Sequence, residues 1–396
     1  MPEKTLNVAI IGCNFMGKAH SNAWLQAARF FDLPARPVLK VACGRQAGAV
    51  TRFAENWGWQ GIETDWRKVV GRSDVDIVDI ALPPHLHHDV AVAAAKAGKH
   101  IFCEKPMALS VAEAGAMLEA ATQAGVVHYV NHNYRRTPAV QLAKRVMNDG
   151  RIGRVFHWRG AYQQDWIVDP EFPLTWHLQK ETAGTGPHGD LNSHSVDLAH
   201  FLVGDVKSVS CLTASFIDER PLPGAGAATF RAGNRAGTMR RGPVTVEDAS
   251  LMQVEFVNGA IGSFEATRFA PGRKNRNTFE IYGSNGSLQF DLERMNELQF
   301  FSRSDPADAQ GFRTILVTEP CHPYAGKWWP PGHTIGYEHG FVHAVADFVS
   351  AIVAKTPMDP DFTDGMKVMT VLEAAMTAAR SGARVRIAAP ERVARA

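Results

Sequence analysis

Between Leu6 and Tyr134 the chain alternates short apolar runs with helix-length segments, and few folds accept that pattern. Leu6–Ile11, Val38–Cys43, Val75–Ile80, His100–Cys103 and Val126–Val130 read as strands, separated by stretches such as Asp89–Ala97 and Val111–Ala124. Alternation of this kind specifies a parallel, helix-covered sheet, because parallel strands need crossover connections. Ligands of such sheets bind beyond the carboxyl ends of the strands, so the residues that follow each run are the first candidates for a site.

The first run ends in Gly12-Cys13-Asn14-Phe15-Met16-Gly17, a GxGxxG-like turn whose middle glycine is Asn14. The first glycine of such a turn makes the bend and the last permits close helix packing, while the backbone between them approaches a pyrophosphate. Asn tolerates a positive φ better than other non-glycine residues, so the turn is expected to survive the change. Placed after a strand and before a helix, it points to dinucleotide binding, with Gly12, Asn14, Phe15 and Met16 as contacts. The second run ends Cys43-Gly44-Arg45, with no carboxylate where an NAD enzyme often carries one for the ribose diol. Arg45 can stack on adenine or meet a 2′-phosphate, so NAD and NADP both stay open.

A length of 396 residues with 45% hydrophobic composition suits two domains, each with its own core. After Arg151 the pattern changes to Val155–Tyr162, Val206–Phe216, Ser250–Phe256, Ala260–Thr267, Thr278–Tyr282 and Ser287–Asp291, with hairpin signals at Asn258-Gly259 and Asn285-Gly286. The expected fold is an α/β Rossmann domain over residues 1–134 plus an α+β domain over 135–396 with a large, mainly antiparallel open sheet. Helical pieces fall at Asp190–Leu202 and Phe341–Val353, and a helix near 365–381 is expected to pack back on the first domain. Ile217–Pro243 and Ser302–Pro331 read as long loops, near the site or at a subunit contact.

The 42 Lys and Arg nearly cancel the 40 Asp and Glu, and a formal charge of +2 gives no electrostatic reason to expect nucleic acid or a membrane surface. A small-molecule ligand fits better. The 5 cysteines form no CxxC pair, which argues against a disulfide framework or a cysteine zinc site and for a reducing, cytoplasmic setting. Leu6–Ile11 is too short for a signal-peptide core, and no later run approaches the ~18 apolar residues of a membrane span.

Chemistry concentrates in two places. His100-Ile101-Phe102-Cys103 delivers Glu104-Lys105-Pro106 to a strand end, where a partly desolvated lysine serves proton transfer. Downstream, Asp190 and His194 stand four apart in Gly189-Asp190-Leu191-Asn192-Ser193-His194, a spacing that puts both on one helix face and lets the carboxylate orient the imidazole. A metal would need a third ligand; His188 is the only nearby candidate, and no metal is expected.

Leu82-Pro83-Pro84-His85-Leu86-His87, then Ala97-Gly98-Lys99-His100 leading into Glu104-Lys105-Pro106, together with the Gly184–Leu198 segment, resemble the Gfo/Idh/MocA family of pyridine-nucleotide sugar and cyclitol oxidoreductases. The resemblance covers almost the whole chain. It implies Lys105, Asp190 and His194 as the catalytic group, with either His194 or Lys105 as the base. It also implies cofactor contacts from Gly44, Arg45, Leu82, Pro83, His85, His87, Glu104, Lys105 and Asn133. Substrate contacts are expected from Lys105, Asp190 and His194, from Tyr134 and Arg135 at the domain crossing, and from Gln164, Asp165 and Trp166. The indole of Trp166 beside polar groups suits a pyranose face. Departures from the family pattern are Asn14, Pro84 and Pro187-His188, and His188 suggests a pocket shaped for a polar or anionic substituent.

The implied activity is hydride transfer between a ring hydroxyl carbon, C3 above all, of a sugar, glycoside, anhydrosugar or inositol and NAD or NADP. The alternative is an NAD-dependent glycosidase of the same family, which oxidises C3 transiently, eliminates with the help of a second base (His188 or Tyr134) and re-reduces; bound NAD would then be favoured. The open sheet needs its outer face covered, so a homodimer or homotetramer through that face is expected.

Overall fold

The computed structural model describes residues 4–223 and 240–387. The chain divides into two compact units, Met1–Pro138 with Thr318–Met366, and Ala139–Val317 with Lys367–Ala396. Residues 318–366 therefore belong with the first unit, although the sequence pattern assigns everything after residue 134 to the second.

The first unit holds β1 (Thr5–Ile11), β2 (Arg36–Cys43), β3 (Gly61–Glu63), β4 (Ile77–Ile80), β5 (His100–Cys103) and β6 (His128–Val130). They form one parallel sheet in the order β3-β2-β1-β4-β5-β6. The three-residue β3 is too short to show as an apolar run. Helices α1 (Phe15–Phe30), α2 (Ala47–Trp57), α3 (Trp66–Val70), α4 (His87–Lys96) and α5 (Val111–Ala124) make the crossovers. Local chemistry sets their ends: Asp65 caps Arg67 N, Ser110 caps Glu113 N, and Gly125 closes α5 with φ 64°.

Register aligns the strand ends. Ile11 pairs with Cys43 and Ile80, Ile80 with Cys103, and Cys103 with Val130. Gly12, Gly44, Ala81, Glu104 and Asn131 consequently follow in one row along the carboxyl edge of the sheet. One core joins α1 to the returning segment: Trp24, Phe102 and Tyr129 pack with Phe341, Val345 and Phe348 of the helix His339–Ala354. That apolar face explains why residues 318–366 return to this unit.

In the second unit, α6 (Pro138–Asn148) leads to β7 (Val155–Gln163), then α7 (Lys180–Ala183), α8 (Pro187–Asp190) and α9 (Asn192–Leu202). There follow β8 (Val206–Ala214), β9 (Glu219–Pro221), β10 (Arg241–Pro243), β11 (Ala249–Phe256), β12 (Ile261–Thr267), β13 (Arg276–Gly283), β14 (Gly286–Asp291), β15 (Glu297–Ser302), β16 (Arg313–Leu316) and β17 (Val385–Arg386). Nine strands make a sheet in the order β16-β15-β14-β13-β7-β12-β11-β8-β17, antiparallel except for β7 with β12, while β9 and β10 pair apart. Part of the expected loop Ile217–Pro243 is thus the β9–β10 ladder; its residues 224–239 lie outside the described residues. Likewise, β15 ends and β16 falls within the stretch read as irregular.

Strand alternation gives the sheet an inner and an outer face. Ser250, Met252, Val254 and Phe256 are buried on β11, and Trp158 stacks on Phe279 at 5.4 Å on the same inner side. The outer side exposes Leu212, Leu251 and Ile261 on adjoining strands. The helix expected near 365–381 is Phe362–Ser381. Beyond residue 366 it belongs to the second unit, where Lys367 pairs with Asp205 and Leu372 O accepts from His188 Nε2 at 2.9 Å, rather than to the first.

Candidate active site

The dinucleotide turn of the first unit is sterically fixed. Gly12 has φ +117°, and a Cβ there would overlap the Ala81 carbonyl; a Cβ on Gly17 would overlap the Gly12 carbonyl. Asn14 has φ −87° and precedes α1 in extended backbone, so the left-handed tolerance of Asn is not what the turn uses. With no acidic residue in its first turn, the 16-residue α1 presents its N-terminal N–H groups at the sheet edge, the arrangement that holds a pyrophosphate. These residues fit a dinucleotide. Phe15 is 49% exposed at the helix start, whereas Met16 packs against the core. Arg45 is exposed beside Gly44 at the end of β2, and Glu63 at the end of β3 is engaged by Thr64 N and Asp65 N.

Beyond β4, Leu82 and Pro83 are half-buried and His85 is exposed. His87 is enclosed: its Nε2 donates to Leu82 O at 2.8 Å and its Nδ1 lies 3.0 Å from Pro106 O. Burial pushes its pKa down. It ties the β4 and β5 loops together and does not reach outward as a cofactor contact. Glu104 is also turned inward, 3% exposed, with Oε1 bonded to His20 Nε2 and Asn131 Nδ2 and Oε2 to Lys105 N. Lys105 alone of this tripeptide is half-exposed.

Asn133 and Tyr134 lie in the turn after β6, 4% and 6% exposed. Arg135, expected as a sugar donor, is 2% exposed, with Nη1 donating to Asp359 Oδ1 at 2.6 Å and Nη2 paired with Asp364 Oδ1 at 3.6 Å. Its fork fastens the returning segment within the first unit.

In the second unit, Asp190 ends α8 and His194 lies in the first turn of α9. Leu191, itself in right-handed helical backbone, separates the two short helices, and His194 N bonds back to Leu191 O at 3.1 Å. The ring of His194 sits 5.9 Å from that of Tyr162, which β7 presents from the inner sheet face. Asp190 Oδ2 accepts from Arg268 Nη2 at 2.7 Å. Arg268, just past β12, is 1% exposed, and its guanidinium lies 5.2 Å from the Trp166 ring centroid. Trp166 in turn donates to Gln164 Oε1 at 2.8 Å, and Gln164 Nε2 donates to Asn275. One connected array thus joins Asp190, Arg268, Trp166 and Gln164.

Two other expectations change. His188 is fully enclosed, with Nδ1 against Ser250 Oγ, Nε2 on Leu372 O and its amide on Glu247; burial lowers its pKa. It pins α8 to β11 and the last long helix and cannot shape a pocket. Asp165 is bonded to Lys274 Nζ and Gly272 N, and the Lys274 bond holds its carboxyl below the usual range. The array's missing member in the sequence reading is Arg268, whose signal was a lone charge closing the alternating run Ala266-Thr267.

Residues 6–132 match the oxidoreductase family with an NAD-binding Rossmann fold, and residues 140–289 match the GFO/IDH/MocA C-terminal domain. A levoglucosan dehydrogenase of Pseudarthrobacter phenanthrenivorans is 44% identical over 95% of this chain and 96% of its own. Among solved structures, an oxidoreductase domain protein from Kribbella flavida superposes with TM-score 0.92 at 48% identity, covering 98% of this chain and 100% of its own. A levoglucosan dehydrogenase in complex with NADH and levoglucosan superposes with TM-score 0.91 at 42% identity, again over 98% and 100%.

Arg268→Met should leave Asp190 without its cation and reduce turnover roughly tenfold or more, while Arg268→Lys, which keeps the charge but loses the fork, should recover part of it. Steady-state kinetics of both variants, beside their thermal midpoints, check this.

Proposed function

This chain belongs to the Gfo/Idh/MocA family of oxidoreductases, and from that premise we propose that it oxidises a ring hydroxyl, at C3, of a pyranose or anhydrosugar with NAD as acceptor. The observation that carries the reading is its likeness, over nearly its full length, to levoglucosan dehydrogenases, one of them solved with NADH and levoglucosan. The turn built on Gly12 and Gly17, with the bare N-terminus of α1, suits the pyrophosphate. Bound NAD supplies the nicotinamide that takes the hydride from the carbinol carbon.

The chain's own residues handle the proton. His194 removes it from the hydroxyl, Lys105 donates a hydrogen bond to the same oxygen, and Asp190, anchored by Arg268, stabilises the protonated ring. Trp166 offers its indole to a sugar face, held by Gln164 on one side and by the Arg268 cation on the other. The glycosidase cycle loses a base here: both ring nitrogens of His188 are engaged inside the second unit. Arg45 is the residue a 2′-phosphate would use, so NADP is compared directly with NAD.

We further take the outer face of the large sheet as a contact between copies of the chain, since Leu212, Leu251 and Ile261 are 67%, 47% and 58% exposed on adjoining strands. All five cysteines are free, which suits a reducing cytoplasm. No helix among the described residues is long and apolar enough to cross a membrane.

Lys105→Met and His194→Ala should fold and bind NADH, by fluorescence titration, yet lose most turnover on a panel of pyranoses and anhydrosugars; near-normal turnover in either sinks the assignment. Leu212→Glu combined with Leu251→Glu should lower the solution mass measured by light scattering to that of a single chain.

A further inference from the structure

Beneath the strand-end row of the first unit lies a buried charged array that the proposed chemistry does not use. His20, on the inward face of α1, is 1% exposed, and its two ring nitrogens meet two carboxylates: Nδ1 lies 2.7 Å from Asp79 Oδ1 and Nε2 lies 2.9 Å from Glu104 Oε1. A neutral imidazole donates from one nitrogen only, so both contacts together call for the doubly protonated ring. Burial opposes that charge, but Asp79 and Glu104 outweigh it and push His20 up to about 10. The carboxylates have further donors, on the outer oxygens Asp79 Oδ2 and Glu104 Oε2 and again on the inner Glu104 Oε1. Trp24 Nε1 donates to Asp79 Oδ2 at 2.6 Å, Asn131 Nδ2 donates to Glu104 Oε1, and Lys105 N donates to Glu104 Oε2 at 3.1 Å.

Charge counting makes the array more than a packing motif. Asp79, His20 and Glu104 together carry one net negative charge, and its nearer end is Glu104, the residue beside Lys105. Burial works against the charged Glu104, but His20, then the charge of Lys105 and the Asn131 bond, hold it below the usual carboxylate range. The other titratable neighbours stay neutral: burial pushes the Cys103 thiol up and the His87 ring down. Around the imidazole the remaining walls are the rings of Phe102 and Phe341.

We propose that His20, Asp79 and Glu104 are positioning residues for Lys105: Glu104, backed by the His20 ring, fixes the loop through the Lys105 amide and supplies the negative charge that keeps the side chain an ammonium donor rather than a base. The inference rests on the reading that Lys105 acts on the substrate oxygen. It assigns the base role to His194 by elimination, and it explains a carboxylate turned away from any cofactor.

Glu104→Gln is the informative variant. Its amide can still accept from Lys105 N and donate to a neutral His20, whose other nitrogen still donates to Asp79; Asn131, whose Nδ2 loses its acceptor, has to turn its own amide, and the charge retreats behind the ring. The expected result is a kcat reduced roughly tenfold or more, a sugar KM and NADH affinity changed less than about threefold, and the alkaline limb of kcat/KM moved down by about one pH unit. Glu104→Asp, which keeps the charge, should restore the limb. An unmoved alkaline limb in Glu104→Gln overturns the proposal; if that variant does not fold, Asp79→Asn replaces it with the opposite expected shift, because a neutral His20 leaves the whole negative charge on Glu104 beside Lys105, and the limb should move up. Lys105→Met separates the two readings. If it retains turnover, the assignment of Lys105 fails; if it is inactive while Glu104→Gln keeps the normal profile, only the positioning role fails.

Discussion

The first unit is organised around one buried imidazolium held between two carboxylates. Removing three charges from water is costly, and the interior tolerates them only because nearly every polar atom is matched: His20 against Asp79 and Glu104, Trp24 on Asp79, Asn131 on Glu104, and Tyr129 on Asn131. The members come from α1, β4, β6 and the residues just past β5 and β6. Breaking any one leaves a buried charge unpaired, so the array fixes where α1 sits against the strand ends. The same helix start carries the dinucleotide turn, and the same strand end carries Lys105. The turn proposed for the cofactor and the lysine proposed for catalysis are thereby set by a common buried network.

The second unit repeats the principle with a different cation. Arg268 is buried against Asp190 and the Trp166 ring, and it couples a carboxylate proposed for catalysis to an indole proposed for sugar contact. Elsewhere the chain spends chemically versatile side chains on structure. His87 and His188 each place both ring nitrogens against interior partners, and Arg135 gives its fork to Asp359 and Asp364. Of the residues proposed for the cofactor in the first unit, Asn14, Phe15, Arg45 and His85 are exposed, and Gly12, Met16, Gly44, Leu82, Pro83 and Lys105 are half-exposed.

The sequence was most legible where structure is local. Strands β1, β2, β4, β5 and β6 and helix α5 announced themselves by apolar runs and caps, and Gly12 with Gly17 by the turn they make. It was least legible where partners are distant: His20 lies 59 residues from Asp79 and 84 from Glu104, so no window of the chain shows that the three belong together. One signal was available. Asp79 interrupts Ile77-Val78-Asp79-Ile80, a strand buried along its whole length, and a carboxylate there demands a cation. The return of residues 318–366 was hidden for a related reason, since the apolar face of the helix His339–Ala354 fits either unit until its partners Trp24, Phe102 and Tyr129 are known. His188 was misread because a histidine beside Asp190 suggests chemistry, whereas Ser250 and Leu372, which enclose it, lie far along the chain.

The central claim is net hydride transfer from a sugar ring carbon to NAD. The most direct measurement follows deuterium from a C3-labelled pyranose or anhydrosugar, incubated with the protein and NAD, while reduced cofactor is quantified. Labelled, reduced cofactor should accumulate in step with ketosugar. Label that stays on or returns to the sugar, with no net reduced cofactor, would contradict it.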